Sequence, residues 1–325
     1  MVRYTNLTAG ALAMDQRIAV IDLGTNTFHL LIAAIKGKTV EILHREKVPV
    51  KLGLAGINQG TISQEAIARG RTCLMNFHNV LQQWGVSRCQ GFGTSALRSA
   101  HNGAEVLAYL RKETGLDLVI ISGDEEAAFI CHGVRAAVPL GHEKSLIIDI
   151  GGGSVEFIIA DQITMHWKQS IEMGAQRLLE LYHRHDPILS EEIVALERHF
   201  DKFLTGVRDA INLHKPAVLV GSSGTFDTLS EIYCKEQGIP FAGESPETPF
   251  SISAFSRIHQ LLISKTRAER LQIPGMIEMR VDMIVVASCL IDYLLRHFQF
   301  TQVRVSSWSL KEGVLTQWLA SEPGR

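Results

Sequence analysis

The chain is predicted to be an α/β protein in which one βββαβα unit occurs twice, the two copies meeting across an interdomain cleft. Three observations predict it. A glycine-rich hairpin lies in mid-chain, a second hairpin of the same design lies near the start, and similar strands and helices follow each.

The mid-chain hairpin is LIIDIGGGSVEFIIAD, residues 146–161. Segments 146–150 and 155–160 read as apolar strands joined by three glycines and a serine. Consecutive glycines accept positive φ and let backbone N–H groups converge, so Gly151, Gly152, Gly153 and Ser154 can form a nest for phosphate oxygens. By itself, a GGG that merely turns the chain is equally compatible. Asp149 separates the two readings, because an aspartate ending a buried strand is costly unless it is paired or holds a metal.

The earlier copy is IAVIDLGTNTFHLLIAAI, residues 18–35. Asp22 falls on Asp149, Gly24 on Gly151, Asn26 on Gly153, Thr27 on Ser154 and His29 on Glu156. Two such hairpins on separate halves can face each other, each offering an aspartate and a row of donors. A polyanion carrying Mg²⁺ fits between them.

In the first copy, 18–23, 28–35 and 38–44 read as strands, with Gly37 marking a turn. Arg45, Lys47 and Lys51 follow in what reads as a solvated loop, where three cations beside the hairpin could guide a chain of phosphates. Thr61 or Ser63 caps an amphipathic helix to Trp84 bearing Ile67, Leu74, Phe77 and Leu81, and Gly85 stops it. A strand at 87–92 delivers GTSALR, residues 93–98, to the ligand end of the sheet. A helix at 103–114 and a strand at 116–121 lead to ISGDEEA. Ser122 or Asp124 caps the next helix, whose first turn holds Glu125 and Glu126, a placement the helix dipole favours by itself.

In the second copy the strands are 146–150, 155–160 and 163–169, then helices at 174–185 and 190–213 and a strand at 217–220. The turn GSSGTF follows, with Ser222, Ser223, Gly224 and Thr225 small enough for close approach to a phosphate or sugar. The proline-bearing segment 233–250 reads as a loop. Helices at 253–264 and 278–297, a strand at 302–305 and a helix at 310–319 complete the chain.

At 325 residues with 46% hydrophobic and 20% charged content, the chain has the composition of a globular enzyme with room for two domains. A net charge of −2 offers no global attraction to nucleic acid, so an anion site must be built locally. Five scattered cysteines without a C-x-x-C pair argue against a disulfide framework or zinc site and point to a reducing cytoplasm. Residues 1–14 read as a flexible tail without the apolar core of a signal peptide. The apolar run 283–295 contains Asp292 and is too short to span a bilayer, so no membrane partner is expected.

The paired hairpins resemble the two phosphate loops of the actin, Hsp70 and sugar-kinase superfamily. DLGTNTFHLLIA, GTSALR, ISGDEEA, DIGGGSVE, GSSGT and SLKEGVL, in that order, resemble the exopolyphosphatase and guanosine pentaphosphate phosphohydrolase (Ppx/GppA) family from about Arg17 onward. The resemblance implies an actin-like ATPase (ribonuclease H-like) fold. The domains expected are 15–124 plus 309–325, and 125–308, in the short two-domain form. It also implies a likeness to homodimers.

Inorganic polyphosphate or guanosine pentaphosphate (pppGpp) is the substrate this implies, with Mg²⁺ as cofactor. Glu126 is expected as catalytic base, with Glu125 the fallback. Asp22, Asp149 and Glu156 are expected around the metal, the last two also catalytic. Arg98 is expected on phosphate oxygens with the loops Gly24, Thr25, Asn26 and Gly151 to Ser154. GSSGT occupies the superfamily's adenosine slot, but Ser222 and Ser223 replace the usual paired glycines, which speaks against tight adenine binding. The family also carries an arginine at the position of Arg280 and often a glycine where Ala287 stands. An ATP-dependent kinase would share both phosphate loops but need a firm adenosine pocket. A sensor without turnover would have lost the acidic residues, and all four are present.

Overall fold

The computed structural model describes residues 16–36, 39–240 and 245–321. Its first half runs β1 Gln16–Leu23, β2 Phe28–Lys36, β3 Thr39–Val48, α1 Gln64–Gln83, β4 Arg88–Gly93, α2 Ser95–Ser99, α3 Gly103–Thr114, β5 Leu118–Ile120 and α4 Gly123–Ala137. The second opens with β6 Ser145–Ile150, β7 Val155–Ala160, β8 Met165–Ile171, α5 Ala175–Tyr182, α6 Ser190–Phe203, α7 Thr205–His214 and β9 Val218–Ser222. It closes with α8 Ser223–Gln237, β10 Glu247–Thr248, α9 Ile252–Ser264, α10 Arg267–Arg270, α11 Met283–His297, β11 Gln302–Ser306 and α12 Leu310–Ser321.

The first sheet has the order β3-β2-β1-β4-β5 and the second β10-β11-β9-β6-β7-β8. Without the two-residue β10, the second sheet read from its far edge is β8-β7-β6-β9-β11, the same order. In each, three antiparallel strands are followed by two parallel ones. This duplicated topology is the actin-like ATPase (ribonuclease H-like) fold.

Side chains alternate across a strand, and the alternation divides the core into three. Ala19, Ile21 and Leu23 of β1 face an outer core with α1 and α3. Leu146, Ile148 and Ile150 of β6 face a second outer core with α6 to α9 and α11. The other parity, Ile18, Val20, Ile147, Ile158 and Ala160, packs with α4 and α12 into one cluster between the sheets. Asp22, Asp149 and Glu156 share that inward parity and sit where the strands run past the helices.

Each unit's last helix crosses to the other sheet: α4 packs on β6, β7 and β8, and α12 packs on β1. The two helices cross with backbones in contact. A Cβ at Gly133 would overlap the Ser309 carbonyl oxygen, and one at Gly313 the Phe129 carbonyl oxygen.

Four expectations are corrected. β3 continues to Val48, so Arg45 and Lys47 are strand residues paired with Leu31 and His29 rather than loop residues. The long apolar β2 offers β3 a full-length partner, and Lys51 alone lies beyond it, at φ 52°. The helix expected over 190–213 is two helices meeting at Leu204, whose ψ of 17° leaves the α-helical range just before Gly206. Its apolar stripe runs on regardless, with Leu196, Phe200, Leu204, Val207 and Ile211 all buried, which hides the break from periodicity. The helix expected from 278 begins at Met283. The turn before it is held by Arg270, whose Nε donates to the Val281 carbonyl at 3.0 Å. The helix expected to reach 185 ends at Tyr182. Gly37 and the tail 1–14 lie outside the described residues. Among the described residues, no helix is long and apolar enough to cross a membrane.

Candidate active site

The two hairpins carry the same geometry as well as similar letters. Asp22 pairs with His29 across β1 and β2, and Asp149 with Glu156 across β6 and β7. Gly24 turns against the Thr27 carbonyl as Gly151 does against that of Ser154.

Both turns have their carbonyls drawn away from the cleft. Lys51 N–H donates to the Asn26 carbonyl at 2.8 Å and Gly53 N–H to that of Thr25 at 2.9 Å. The first N–H groups of α5 and its cap take the glycine carbonyls: Gly174 to Gly153, Ala175 to Gly151 and Gln176 to Gly152, each at 2.9 Å. Among the described residues, the N–H groups of Thr25, Asn26, Gly152 and Gly153 donate to no other protein group. They form two rows of free donors suited to anionic oxygens. Gly151 is an exception, since its N–H donates to the Ser154 carbonyl at 3.0 Å. The rows also touch each other. A Cβ at Gly153 would meet Ser95 Oγ and Thr25 Oγ1, so a larger residue there would push the loops apart.

Between them lies a cleft of about 370 Å³ lined by both hairpins, by Asp22, Glu126 and Asp149, and by Arg45, Lys47, Asp227, Arg280 and Lys311. Asp22 and Asp149 therefore face a shared crevice. Asp149 Oδ2 accepts from Ser222 Oγ at 2.8 Å and Ser309 Oγ at 2.5 Å, which fixes its orientation. Burial raises the Asp22 carboxyl to about 6, with Lys311 opposing and Asp149 adding to the shift.

Ser122 caps α4 with a full capping box, its hydroxyl taking the Glu125 N–H while Glu125 reaches back to the Ser122 N–H at 2.8 Å. Glu125 is thereby committed to the helix end and does not line the cleft. Glu126, one residue on, does. Burial first, then repulsion from Glu156, holds its proton affinity well above that of an ordinary glutamate, although Arg98 opposes the shift. Arg98 Nη1 donates to Glu126 Oε2 at 2.7 Å, and Nη2 donates to Glu172 Oε1 at 2.9 Å. Glu172 also accepts from Ser95 Oγ and, at 3.0 Å, from Arg177 Nη2.

The structure brings Asp22, Glu126, Asp149, both turns, Ser223 and Gly224 together around one cavity. Four expected residues stand behind its wall. Arg98 is engaged by the two glutamates. Ser222 is buried under Asp149, and Thr225 is enclosed in α8. Glu156 is 1% exposed, accepts from Ser170 Oγ at 2.6 Å, and is raised to about 8 by burial and then by Asp149.

Asp227, Ser309, Lys311 and Glu312 were not singled out from sequence. SLKEGVL carries three of them, but only the crossing of α12 brings its start to Asp149, and Asp227 reads as one more polar residue on a helix.

An Mg²⁺ ion that keeps waters and phosphate oxygens needs only one or two protein carboxylates. Asp22 and Asp149 supply two, and the elevated Asp22 proton affinity is what a bound cation would reverse. Among the described residues, no group of three or more His, Cys, Asp or Glu is placed to hold a metal. The residues thus fit an ion completed by its ligand rather than one caged by protein. Thr25 Oγ1, Asn26 Oδ1 and Arg280 Nε, all on cleft-lining residues, are buried without a hydrogen-bond partner. Such atoms mark a cavity built to be filled.

The profile of the Ppx/GppA phosphatase family matches residues 31–322. A Haemophilus influenzae protein provisionally named an exopolyphosphatase is 31% identical over 303 residues, spanning 92% of this chain and 90% of that protein. The crystal structure of an exopolyphosphatase from Cytophaga hutchinsonii superposes with TM-score 0.91 at 43% identity, covering 94% of this chain and 98% of its own. The Aquifex aeolicus member of the Ppx/GppA family shares the fold at TM-score 0.78 and 23% identity, over 95% and 99% of the two chains. With two D-x-G turns, an inward pair of aspartates and a family match across nearly its whole length, the chain belongs to the Ppx/GppA phosphatases.

Proposed function

We propose that this cleft hydrolyses the terminal phosphoanhydride of inorganic polyphosphate and releases orthophosphate. The observation that carries the reading is the pair of facing N–H rows with Glu126 and two aspartates between them. Lys47, Arg280 and Lys311 support it. These three cations line the same cleft and make no hydrogen bond or ion pair with protein among the described residues, which leaves them for a chain of phosphates. The terminal phosphoryl group sits between the rows, where Thr25, Asn26, Gly152 and Gly153 neutralise its oxygens. Water oxygen attacks phosphorus in line, the bridging P–O bond breaks, and the shortened chain leaves with that oxygen. Glu126 takes the proton from water, its basicity raised by burial and its carboxylate aimed by Arg98. Mg²⁺ held by Asp22 and Asp149 would screen charge on the phosphate oxygens. Glu156 tunes the field at both Asp149 and Glu126 from behind.

Phosphate release from long-chain polyphosphate tests the reading, with pppGpp run in parallel as the alternative substrate. Glu126→Gln is expected to lower kcat about a hundredfold or more with little change in KM. Absence of orthophosphate release by the unaltered enzyme would remove the reading, and a Gln variant of near-normal turnover would remove Glu126 from it. The family likeness suggests a homodimer, which light scattering on the eluting protein checks, and the unpaired cysteines suit a reducing cytoplasm.

A further inference from the structure

The fold places the backbone of Glu126 and leaves its carboxylate to be aimed. Glu126 stands in the first turn of α4, and that end of the helix lies so close to β8 that a Cβ at Gly123 would overlap the Ser170 side chain. Among the described residues its carboxylate has one hydrogen-bond partner, Arg98 Nη1 at 2.7 Å. Arginine is long and flexible, and its guanidinium aims one donor only when the others are fixed, because all five share a rigid plane. Glu172 fixes them. Its Oε1 accepts from Arg98 Nε at 3.3 Å and from Nη2 at 2.9 Å, gripping that edge of the fork and leaving Nη1 for Glu126. Besides the two carboxylates, Arg98 reaches only the Ile121 carbonyl, at 3.3 Å from Nη1.

Glu172 can serve as an anchor because its other oxygen is held as well. Oε2 accepts from Ser95 Oγ and, at 3.0 Å, from Arg177 Nη2. Ser95 belongs to GTSALR and lines the cleft beside Gly153, and Arg177 donates through Nε to the Gly153 carbonyl at 2.8 Å. One carboxylate from the second half thus ties the aim of Glu126 to the glycine turn. The Glu172 side chain is 39% exposed, and ion pairs so open to water contribute at most about 1 kcal/mol to stability. Its consequence is therefore geometric more than stabilising.

We propose that Glu172 is a positioning residue for the hydrolysis: it locks the Arg98 guanidinium so that the donor left over aims the Glu126 carboxylate at the attacking water. This rests on the hydrolytic reading above and deepens it. Glu172 does not line the cleft, and it acts only through Arg98 and Glu126.

The test is a double-mutant cycle on long-chain polyphosphate with the unaltered enzyme, Glu172→Gln, Glu126→Gln and the two combined. Glu172→Gln keeps the size of the side chain and removes its charge. It is expected to lower kcat about tenfold with KM held within about twofold, and Glu172→Ala to lower kcat at least as much. Once Glu126→Gln has removed the carboxylate to be aimed, adding Glu172→Gln is expected to change kcat by less than about twofold. Equal factors in both backgrounds overturn the proposal, because a residue that merely holds the halves together would act regardless of Glu126. So does a loss seen in KM alone, or turnover within about twofold of normal in Glu172→Ala. Crystal structures of the unaltered enzyme and Glu172→Ala give a second measurement, in which the Glu126 carboxylate is expected to leave its place. Finding it and Arg98 unmoved overturns the proposal. If the unaltered enzyme releases no orthophosphate, the hydrolytic reading fails, and the crystallographic comparison alone decides whether Glu172 positions Glu126.

Discussion

At the residue scale, the site is a set of carboxylates held out of water near one another, and its acid–base behaviour follows from that. Glu156 keeps its proton up to about 8 in the folded chain, against 4.5 for an ordinary glutamate. A carboxyl with raised affinity gives its full stabilising share below the unfolded value, and that share is lost as pH rises through the folded one. Glu156→Gln, which can still accept from Ser170, is therefore expected to raise the melting temperature above pH 8 and leave it near the unaltered value at pH 4.5. Thermal unfolding with a chelator present checks this. Equal shifts at both pH values would mean the gain is not electrostatic.

At the element scale, the crossing of α4 and α12 depends on Gly133 and Gly313, where backbone meets backbone. A methyl group there confronts a carbonyl oxygen, and no side-chain rotamer can relieve it. Gly313→Ala is expected to cost about 2–4 kcal/mol in urea unfolding. A cost below about 0.5 kcal/mol would show that the helices can slide apart freely. Neither glycine stands out in the sequence, since each sits in an ordinary helical pattern and its need arises from the partner helix.

The strands and both turns were legible, because period-two apolar runs around D-x-G are short-range signals. The repeat also aligned Asp22 with Asp149 and His29 with Glu156, and the structure adds that each aspartate faces the second of these residues across its own hairpin. The helix break at Leu204 was not legible, because a continuous apolar stripe outweighs one irregular dihedral. Nor was the engagement of Arg98 by Glu126 and Glu172, since Glu172 lies 74 residues away in sequence and no local pattern announces the meeting. Arg45 and Lys47 were correctly placed beside the hairpin but assigned to a loop, because charged residues on an edge strand read as solvated chain.

At the scale of the whole molecule, the halves are joined by the helix crossing and by side chains that reach from one to the other. Among the latter is Arg177 on α5, which donates to the Gly153 carbonyl at 2.8 Å and to the Ile57 carbonyl and Ser99 Oγ of the first half, each at 2.7 Å. Asn58 returns the contact by donating to Glu180 at 3.0 Å. Arg177→Ala removes the donors that hold the second turn against the first half. It is expected to lower kcat/KM on polyphosphate about tenfold or more and to increase the radius of gyration in small-angle scattering. An unchanged scattering curve together with unchanged kinetics would confine Arg177 to local packing.

The exchange of terminal helices also constrains where such an enzyme can have come from. Severed between 137 and 145, the polypeptide would give two pieces, each lacking a wall of its own interior and each carrying a wall that belongs to the other. Neither fragment is a self-sufficient body. A single ancestral repeat could have protected its apolar inner face only by trading its last helix with an identical neighbour, so gene fusion would have made permanent a partnership that two separate molecules had already formed.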